Sequence, residues 1–179
     1  TTPGGKKRAA LAYDSAHHQM LLYGGGASDT WLYDGNNWTQ AFPTTSPGDM
    51  WGPTMAYDIQ RGVVVMTCYN IAVYWEWDGT DWAQKTANFV RWPEYRSLYY
   101  DTYRNRMILY DSASLQTWNG TKSDLIFYEA PPLNHGGLAT AFDTHSGSLI
   151  LFGGWYSDAT NETWELGSTS MQALIDNAA

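Results

Sequence analysis

Short apolar runs alternate with polar turns along this chain, and one pattern of such runs returns four times. Its first copy has an apolar run that ends at Asp14, a second run that ends in paired glycines at residues 22–25 (LYGG), and an alternating segment at residues 31–35 (WLYDG). The aspartates that close the first run are 44, 43 and 42 residues apart: Asp14, Asp58, Asp101 and Asp143. Trp38 and Trp82 share the 44-residue spacing. Several landmarks with one period indicate a duplicated unit.

Each copy predicts four short strands. The first and second runs are joined by polar connectors of hairpin length. The second runs are almost continuously apolar, as in strands covered on both faces. The third strands alternate, so their large side chains share one face. Fourth strands are predicted to begin at Trp38, Trp82 and Met171, with residues 125–128 as the outer strand of the third copy. The predicted first strands are 9–14, 54–58, 97–101 and 138–143, and the second are 20–23, 63–67, 106–110 and 148–152.

Four-stranded antiparallel units at a period of about 43 residues are typical of β-propeller blades. We therefore predict an all-β propeller with four blades in a single domain, 1–179. The blades are expected at about residues 9–40, 53–84, 96–128 and 137–174. Frequent turns fit this class, because the chain has 17 Gly and 7 Pro and no long runs of helical period.

The first residues match a later connector between blades. Residues 1–5 (TTPGG) align with residues 45–49 (TSPGD) at the same 44-residue offset. The chain is therefore expected to open on an inter-blade linker. This predicts that the four blades are part of a longer array, or that further blades or self-association complete the ring. A complete four-bladed ring is the alternative.

The repeats resemble kelch repeats, and especially the bacterial variety. The resemblance rests on residues 22–25 (LYGG) and 151–154 (LFGG), and on residues 28–38 (SDTWLYDGNNW) and 161–164 (NETW). It covers about residues 3–173. Cys68-Tyr69 and Asp111-Ser112 replace the paired glycines in the second and third copies. This divergence implies that the blades are not interchangeable, which a binding partner can use.

The charge of the chain limits the classes of partner that we expect it to bind. The formal net charge is −8, with 10 basic and 18 acidic residues. This balance repels a phosphate backbone, so no nucleic-acid partner is expected. The cluster Lys6-Lys7-Arg8 is interpreted as a solvated face. No apolar stretch approaches the roughly 20 residues that a membrane span needs. From the absence of an initial Met, the few lysines and the bacterial resemblance, we expect a secreted or cell-surface location.

No metal, cofactor or catalytic residue is predicted. Some kelch propellers are copper radical oxidases, whose metal needs two His, two Tyr and a Cys linked to one Tyr. Cys68 and Tyr69 are adjacent in a strand pattern and so point to opposite faces. The histidines form no convincing pair of ligands: His17 and His18 share one hairpin turn, and His145 occupies the equivalent turn of the fourth copy.

The carboxylates are mostly explained by the repeat. The aspartate that closes each first strand is predicted to accept hydrogen bonds from backbone N–H groups of the turn. Two unmatched carboxylates, Asp49 and Glu94, qualify by position alone as a glycosidase-like pair. A propeller hydrolase or oxidase is therefore kept as the rival class of function.

Aromatic side chains fall into two groups. Those at repeated positions are predicted to pack between blades: Trp31, Trp38, Trp75, Trp77, Trp82, Trp118 and Trp164. Those outside the repeat lie in connectors and loops, which we expect to rim the propeller. Together with neighbouring polar groups they form the predicted ligand-binding set: Trp51, Tyr69, Asn70, Arg91, Trp92, His135, Trp155 and Tyr156.

These observations predict a non-catalytic recognition module. Blade-specific loops would present exposed Trp and Tyr, which supply much of the contact energy at interfaces. A protein partner is the first expectation and a glycan the second.

Overall fold

The fold is described from a computed structural model, which covers residues 2–68, 73–86, 96–111, 114–128, 137–155 and 158–167. Within these residues the chain forms fifteen β-strands and no helix. In order, the strands are β1 Ala9–Asp14, β2 Gln19–Gly24, β3 Thr30–Tyr33, β4 Trp38–Ala41, β5 Thr54–Asp58, β6 Val63–Thr67, β7 Val73–Trp77, β8 Trp82–Thr86, β9 Arg96–Asp101, β10 Arg106–Asp111, β11 Ser114–Trp118, β12 Ser123–Tyr128, β13 Ala139–Asp143, β14 Ser148–Phe152 and β15 Thr163–Leu166.

The strands form four separate antiparallel sheets in which each strand pairs with its neighbours in sequence. Blade 1 is β1–β4, blade 2 is β5–β8, blade 3 is β9–β12, and blade 4 is β13–β15. Met171, where the outer strand of blade 4 is predicted, lies outside the described residues. The predicted all-β propeller class with antiparallel blades is confirmed.

Strand boundaries agree with the sequence pattern to within two residues. The main addition is β11, Ser114–Trp118, which supplies the third strand of blade 3 where the repeat is degenerate. The chain divides into two compact units, Thr1–Ala87 with blades 1 and 2 and Asn88–Ala179 with blades 3 and 4. The single domain stays a prediction.

Each first strand ends in an aspartate that caps the following hairpin. In blade 2, Asp58 Oδ1 accepts hydrogen bonds from the backbone N–H groups of Gln60, at 3.1 Å, and Arg61, at 3.0 Å. Asp58 Oδ2 accepts a further bond from Arg61 Nε, at 2.7 Å. Equivalent caps join Asp14 to His17, Asp101 to Arg104, and Asp143 to Ser146. The predicted structural role of these carboxylates is confirmed.

Blades 1 and 2 pack face to face in the first unit, and Trp82 lies in the middle of this contact. Its indole Nε1 donates a 3.0 Å hydrogen bond to Thr30 Oγ1 of blade 1. Its ring centre lies 5.1 Å from Tyr23 in an edge arrangement and 5.4 Å from Trp77. Trp82 is buried. The packing role predicted for the repeated tryptophans is therefore seen directly at Trp82.

Each unit has its own apolar core. In the first unit the core combines side chains from both blades: Ala12, Leu21, Tyr23, Met50, Met55, Val64, Met66, Cys68, Trp75, Trp77 and Trp82. In the second unit it combines blades 3 and 4: Ile108, Tyr110, Leu115, Ile126, Leu149 and Leu151. Since both cores cross from one blade to the next, a blade is stabilised by its neighbour as well as by its own sheet.

We expect Trp82→Ala to lower the free energy of unfolding by about 3–5 kcal/mol, because it leaves a cavity between two blades and removes the donor to Thr30. Chemical denaturation followed by circular dichroism measures this change. Trp38→Ala is the matched control at the same position one repeat earlier. Trp38 is only partly buried, so a loss of about 1 kcal/mol or less is expected there. Equal losses would contradict the role given to Trp82.

Candidate functional site

Three segments of the first unit meet at one end of blades 1 and 2. Gly24 has a φ of +82°, and a Cβ there would lie 2.7 Å from Cγ of Pro53 and 3.1 Å from the carbonyl oxygen of Met50. At Gly25 a Cβ would lie 2.9 Å from Cβ of Lys6. The paired glycines are therefore needed both for their left-handed backbone and for close approach. We call residues 2–8, 25–29 and 42–53 together the loop face.

Tyr23 ties the 42–53 connector to blade 1. Its hydroxyl donates a 2.7 Å hydrogen bond to the carbonyl of Gly48 and lies 3.2 Å from Ser46 Oγ. Burial is the main influence on this hydroxyl and raises the pKa of Tyr23 above 10.0, against the lowering effect of the bond to Ser46. The hydroxyl is thus protonated and remains a donor at neutral pH. The connector is held in one position by the core of the blade.

Asp29 ties the N-terminal segment to the β2–β3 loop. Its carboxylate accepts hydrogen bonds from Lys6 Nζ and from the indole N–H of Trp31. Burial favours the neutral acid, but the bonds from Lys6 and Trp31 outweigh it and lower the pKa of Asp29 below 3.8. The Lys6 side chain is only 8% exposed. The expectation that Lys6 belongs to a solvated face is therefore wrong, whereas Lys7 and Arg8 are exposed.

Trp51 is the exposed aromatic of the loop face. Its side chain keeps 44% of its surface exposed. The guanidinium carbon of Arg8 lies 5.8 Å from the indole ring centre, within the range of a cation–π contact. Arg8 itself adopts a φ of +61° and is exposed. The pair presents a flat aromatic ring and a cation on a surface that Tyr23 and Asp29 hold in place.

Trp155 occupies a loop of the second unit, between β14 and β15. This loop is closed by hydrogen bonds from Gly153 N to Glu162 O and from Thr160 N to Gly154 O, both 2.9 Å. A Cβ on Gly137 would lie 3.6 Å from Cδ1 of Trp155, so the indole lies over the backbone that enters β13. Trp155 is 52% exposed. Trp51 and Trp155 thus lie in different units, each exposed as predicted for a binding residue.

The loop between the second and third strands has five residues in blades 1 and 2, two in blade 3 and ten in blade 4. It spans residues 25–29 in blade 1, 68–72 in blade 2, 112–113 in blade 3 and 153–162 in blade 4. In blade 3, Asp111 Oδ1 at the end of the second strand accepts a 2.7 Å bond from Ser114 N at the start of the third. The repeated strands therefore carry blade-specific loops, in agreement with the divergence seen in the sequence.

Six residues of the predicted binding set lie outside the described residues: Tyr69, Asn70, Arg91, Trp92, His135 and Tyr156. Their part in a site stays a prediction. Conversely, sequence reasoning missed Arg8 and Asp29. The 44-residue offset aligns Lys7 with Trp51 and so places Arg8 in a segment equivalent to a blade connector. This alignment is the signal that could have indicated Arg8 as a site residue.

Several buried polar groups in the described ranges have structural partners. Cys68 is buried, with its Sγ 3.2 Å from Sδ of Met50. The buried carboxylates Asp14, Asp58 and Asp101 cap hairpins, and Asp49 is exposed. Glu94 lies outside the described residues. Among the residues that are described, no group of three or more His, Cys, Asp or Glu could hold a metal ion. In the same residues no helix is long and apolar enough to cross a membrane.

Comparison with known proteins supports the fold. No family model matches the chain, and a search of curated proteins finds no match. A chain in a crystal structure of a nidogen/laminin complex is 17% identical with a TM-score of 0.50, and the match covers 86% of this chain and 62% of that chain. An engineered GH43 glycoside hydrolase with endo-xylanase and exo-arabinofuranosidase activity is 12% identical with a TM-score of 0.54, covering 94% and 40%. A GH43 β-1,3-galactosidase with galactodeoxynojirimycin is 11% identical with a TM-score of 0.53, covering 93% and 73%.

At these identities the likeness establishes the propeller fold and nothing finer. This chain spans less than two thirds of the length of the first two matched chains.

We expect Asp29→Asn to lower the free energy of unfolding at pH 7 by on the order of 1–2 kcal/mol, because Lys6 loses a charged acceptor. The pKa of Asp29 is lowered in the folded state. Its contribution is therefore present above the ordinary value of 3.8 and is lost as the pH falls through the lowered pKa. Denaturation at several pH values should give a flatter profile for the variant between neutral pH and about pH 3.

Asp124→Asn is the matched control for that experiment. Asp124 forms an ion pair with Lys122, but both side chains are exposed. Exposed pairs contribute about 0–1 kcal/mol, so little change is expected. A loss at Asp124 as large as that at Asp29 would contradict the argument.

Proposed function

We propose that the chain is a non-catalytic recognition module whose loop face binds a protein partner. The observation that carries the proposal is the Trp51–Arg8 pair, an exposed indole beside an exposed guanidinium on a rigid support. Tryptophan and arginine are enriched among the residues that dominate protein–protein binding energy. An exposed pair of this kind has no evident role in the core of its own unit.

The rigidity of the loop face favours binding. The connector that carries Trp51 is bonded to the buried Tyr23 hydroxyl, and the segment that carries Arg8 is anchored through Lys6 and Asp29. Little conformational freedom then remains to be lost when a partner binds, which improves affinity. The different loop lengths of the blades supply the asymmetry that a single binding site needs.

The comparisons offer support of two kinds. One matched chain comes from a nidogen/laminin complex, that is, from a protein bound to another protein. The GH43 matches are a glycoside hydrolase with endo-xylanase and exo-arabinofuranosidase activity and a β-1,3-galactosidase with galactodeoxynojirimycin. Neither activity transfers to this chain at 11–17% identity. They make a protein partner and a glycan the two ligand classes to test.

A glycan is the second candidate, and Trp155 is the observation that favours it. Its indole lies over Gly137 and leaves about half of its surface in solvent. A fixed, flat aromatic face of this kind suits stacking on the apolar face of a sugar ring. We extend both proposals to Tyr69, Asn70, Arg91, Trp92, His135 and Tyr156 on sequence position alone. A secreted or cell-surface location is part of the same proposal.

We also propose that the repeats are of the kelch type. The paired glycines of blade 1, Gly24 and Gly25, and those of blade 4, Gly153 and Gly154, all have a positive φ. This repeated geometry at the end of the second strand supports the proposal. A propeller enzyme remains the rival class, and the commitment of Asp14, Asp58 and Asp101 to hairpin caps speaks against it.

A photo-reactive amino acid at position 51 tests the protein-binding proposal, with position 103 as control. Tyr103 is an exposed aromatic in the β9–β10 hairpin and lies outside the loop face. A partner that is cross-linked from position 51 and not from 103 is the expected result. Trp51→Ala should then weaken binding of that partner at least tenfold, about 1.4 kcal/mol, with Tyr103→Ala unchanged. Equal cross-linking from both positions, or equal binding by both variants, would contradict it.

A glycan array tests the second candidate on the same material. If the chain binds sugars through Trp155, Trp155→Ala should abolish retention of the bound saccharide while Tyr103→Ala retains it. Release of product from an arrayed glycan, rather than retention, would support the enzyme class instead.

A further inference from the structure

The turns between the third and fourth strands of blades 1, 2 and 3 share one geometry but differ at their first residue. The first residues are Asp34, Asp78 and Asn119, and each is followed by a glycine with a φ between +95° and +102°. Asn119-Gly120 is the one Asn-Gly pair in the sequence. Blade 3 therefore has a side-chain amide where blades 1 and 2 have a carboxylate.

In all three turns the same side-chain oxygen accepts the same hydrogen bonds. Oδ1 of Asp34 accepts bonds from the backbone N–H groups two and three residues later, at 2.8 and 2.7 Å. The equivalent distances are 2.8 and 2.9 Å for Asp78, and 3.0 and 2.9 Å for Asn119. A threonine hydroxyl donates a third bond to Asp78, at 2.8 Å, and to Asn119, at 3.0 Å. An aspartate at position 119 would therefore find the donors that Asp78 has.

These donors favour negative charge on the oxygen that they contact. Backbone N–H groups lower the pKa of Asp34 below 3.8, and Asn37 is the main donor. In the same way, Asp81 is the main donor that lowers the pKa of Asp78 below 3.8. Hydrogen bonds to the charged form of an acid have this effect. Since blade 3 has equivalent donors, its turn favours negative charge on Oδ1 of residue 119.

The nitrogen atoms that react in deamidation are available in the turn of blade 3. Asn119 is exposed. The hydrogen bonds of this turn are donated by the backbone N–H groups of residues 119, 121 and 122 and by the Thr121 hydroxyl. Gly120 N and Nδ2 of Asn119 donate none of these bonds. Because Gly120 has no Cβ, its nitrogen is also not shielded by a side chain.

We propose that Asn119 deamidates in the folded chain and that its turn directs the product to aspartate. In the first step Gly120 N forms a bond to Cγ of Asn119. Nδ2 leaves as ammonia and takes up the proton that Gly120 N loses. In the second step the oxygen of a water molecule forms a bond to Cγ of the cyclic imide, and the bond from Cγ to Gly120 N breaks. The reaction consumes one water and releases one ammonia.

The donors on Oδ1 determine which carbonyl of the imide reacts with water. Attack at Cγ gives aspartate, whereas attack at the main-chain carbonyl gives isoaspartate, whose main chain is longer by one CH₂ group. Negative charge develops on Oδ1 only when Cγ is attacked. Donors aimed at an oxygen that gains charge lower the barrier of the reaction. Thr121 and Lys122 supply such donors, so they favour aspartate.

The two products differ in their effect on blade 3. The turn is flanked by the paired residues Trp118 and Ser123, both of which are buried. Aspartate keeps the length of the main chain and therefore this pairing, whereas isoaspartate lengthens the turn and displaces it. Deamidation to aspartate thus gives blade 3 the carboxylate turn of blades 1 and 2 and adds one negative charge. It does not rest on the proposed function.

Mass spectrometry of the whole chain tests the inference. The folded chain is kept at neutral pH and digested, and the aspartate and isoaspartate forms of the peptide with residue 119 are separated by chromatography. We expect conversion at Asn119, mainly to aspartate, and much slower conversion at Asn37, the exposed control in the turn of blade 1. The ratio of aspartate to isoaspartate should be about tenfold higher than in the chain unfolded in urea. No conversion at Asn119, equal conversion at Asn37, or equal ratios in the two states would overturn the inference.

Thr121→Val tests the role of the donors. It keeps the shape of the side chain and removes the hydroxyl that donates to Oδ1 of Asn119. Thr80→Val is the matched control, because Thr80 donates to Asp78 in the equivalent turn of blade 2. The ratio of aspartate to isoaspartate should fall about threefold in Thr121→Val and remain that of the wild type in Thr80→Val. Equal ratios in the two variants would contradict the direction of the reaction by the turn.

Discussion

Burial of one blade face against the next is the constraint on which this structure depends. A four-stranded sheet with large apolar side chains on both sides cannot cover them by itself. Trp82 illustrates the solution, because its indole nitrogen is satisfied by Thr30 of the neighbouring blade and its ring is enclosed by Tyr23 and Trp77. The neighbouring blade thus supplies the hydrogen-bond acceptor of the indole nitrogen and part of the packing around the ring. Stability is therefore a property of pairs of blades, as expected for repeat proteins.

This constraint explains why the sequence predicts so much of the fold. A residue that every blade needs must recur at the repeat period, so Trp38 and Trp82 are found 44 residues apart. The same holds for the aspartates that cap the hairpins, where a carboxylate accepts two or three hydrogen bonds from residues two and three positions later. Local chemistry of this kind is visible in the sequence, because donor and acceptor are close together along the chain.

The candidate site was less predictable, because its contacts join segments that are distant in sequence. Lys6 meets Asp29 across 23 residues, and the Tyr23 hydroxyl meets Gly48 across 25. Neither pair is seen again in the part of the chain that the structure describes, so no period points to it. Trp51 was found as a departure from the repeat, but its partner Arg8 was not, since a short basic cluster usually lies in solvent. The sequence thus indicates where the repeat pattern is interrupted. It does not show which residues contact each other there.

Comparison of equivalent positions in different blades shows whether the burial of a residue is usual for its position. Neither the sequence nor a single blade provides this information. Phe152 is an ordinary apolar strand residue in the sequence, and its exposure alone would be unremarkable, because single exposed apolar residues are common. Its counterparts Tyr23 and Tyr110 are both buried under another blade, and this makes the exposure of Phe152 informative. The same comparison distinguishes Trp38 from Trp82. Both occupy the same position of the repeat, but Trp82 is buried and Trp38 is only partly buried. In a repeat fold, a residue is therefore best judged against its counterparts in the other blades, because their surroundings show which neighbour that position can have.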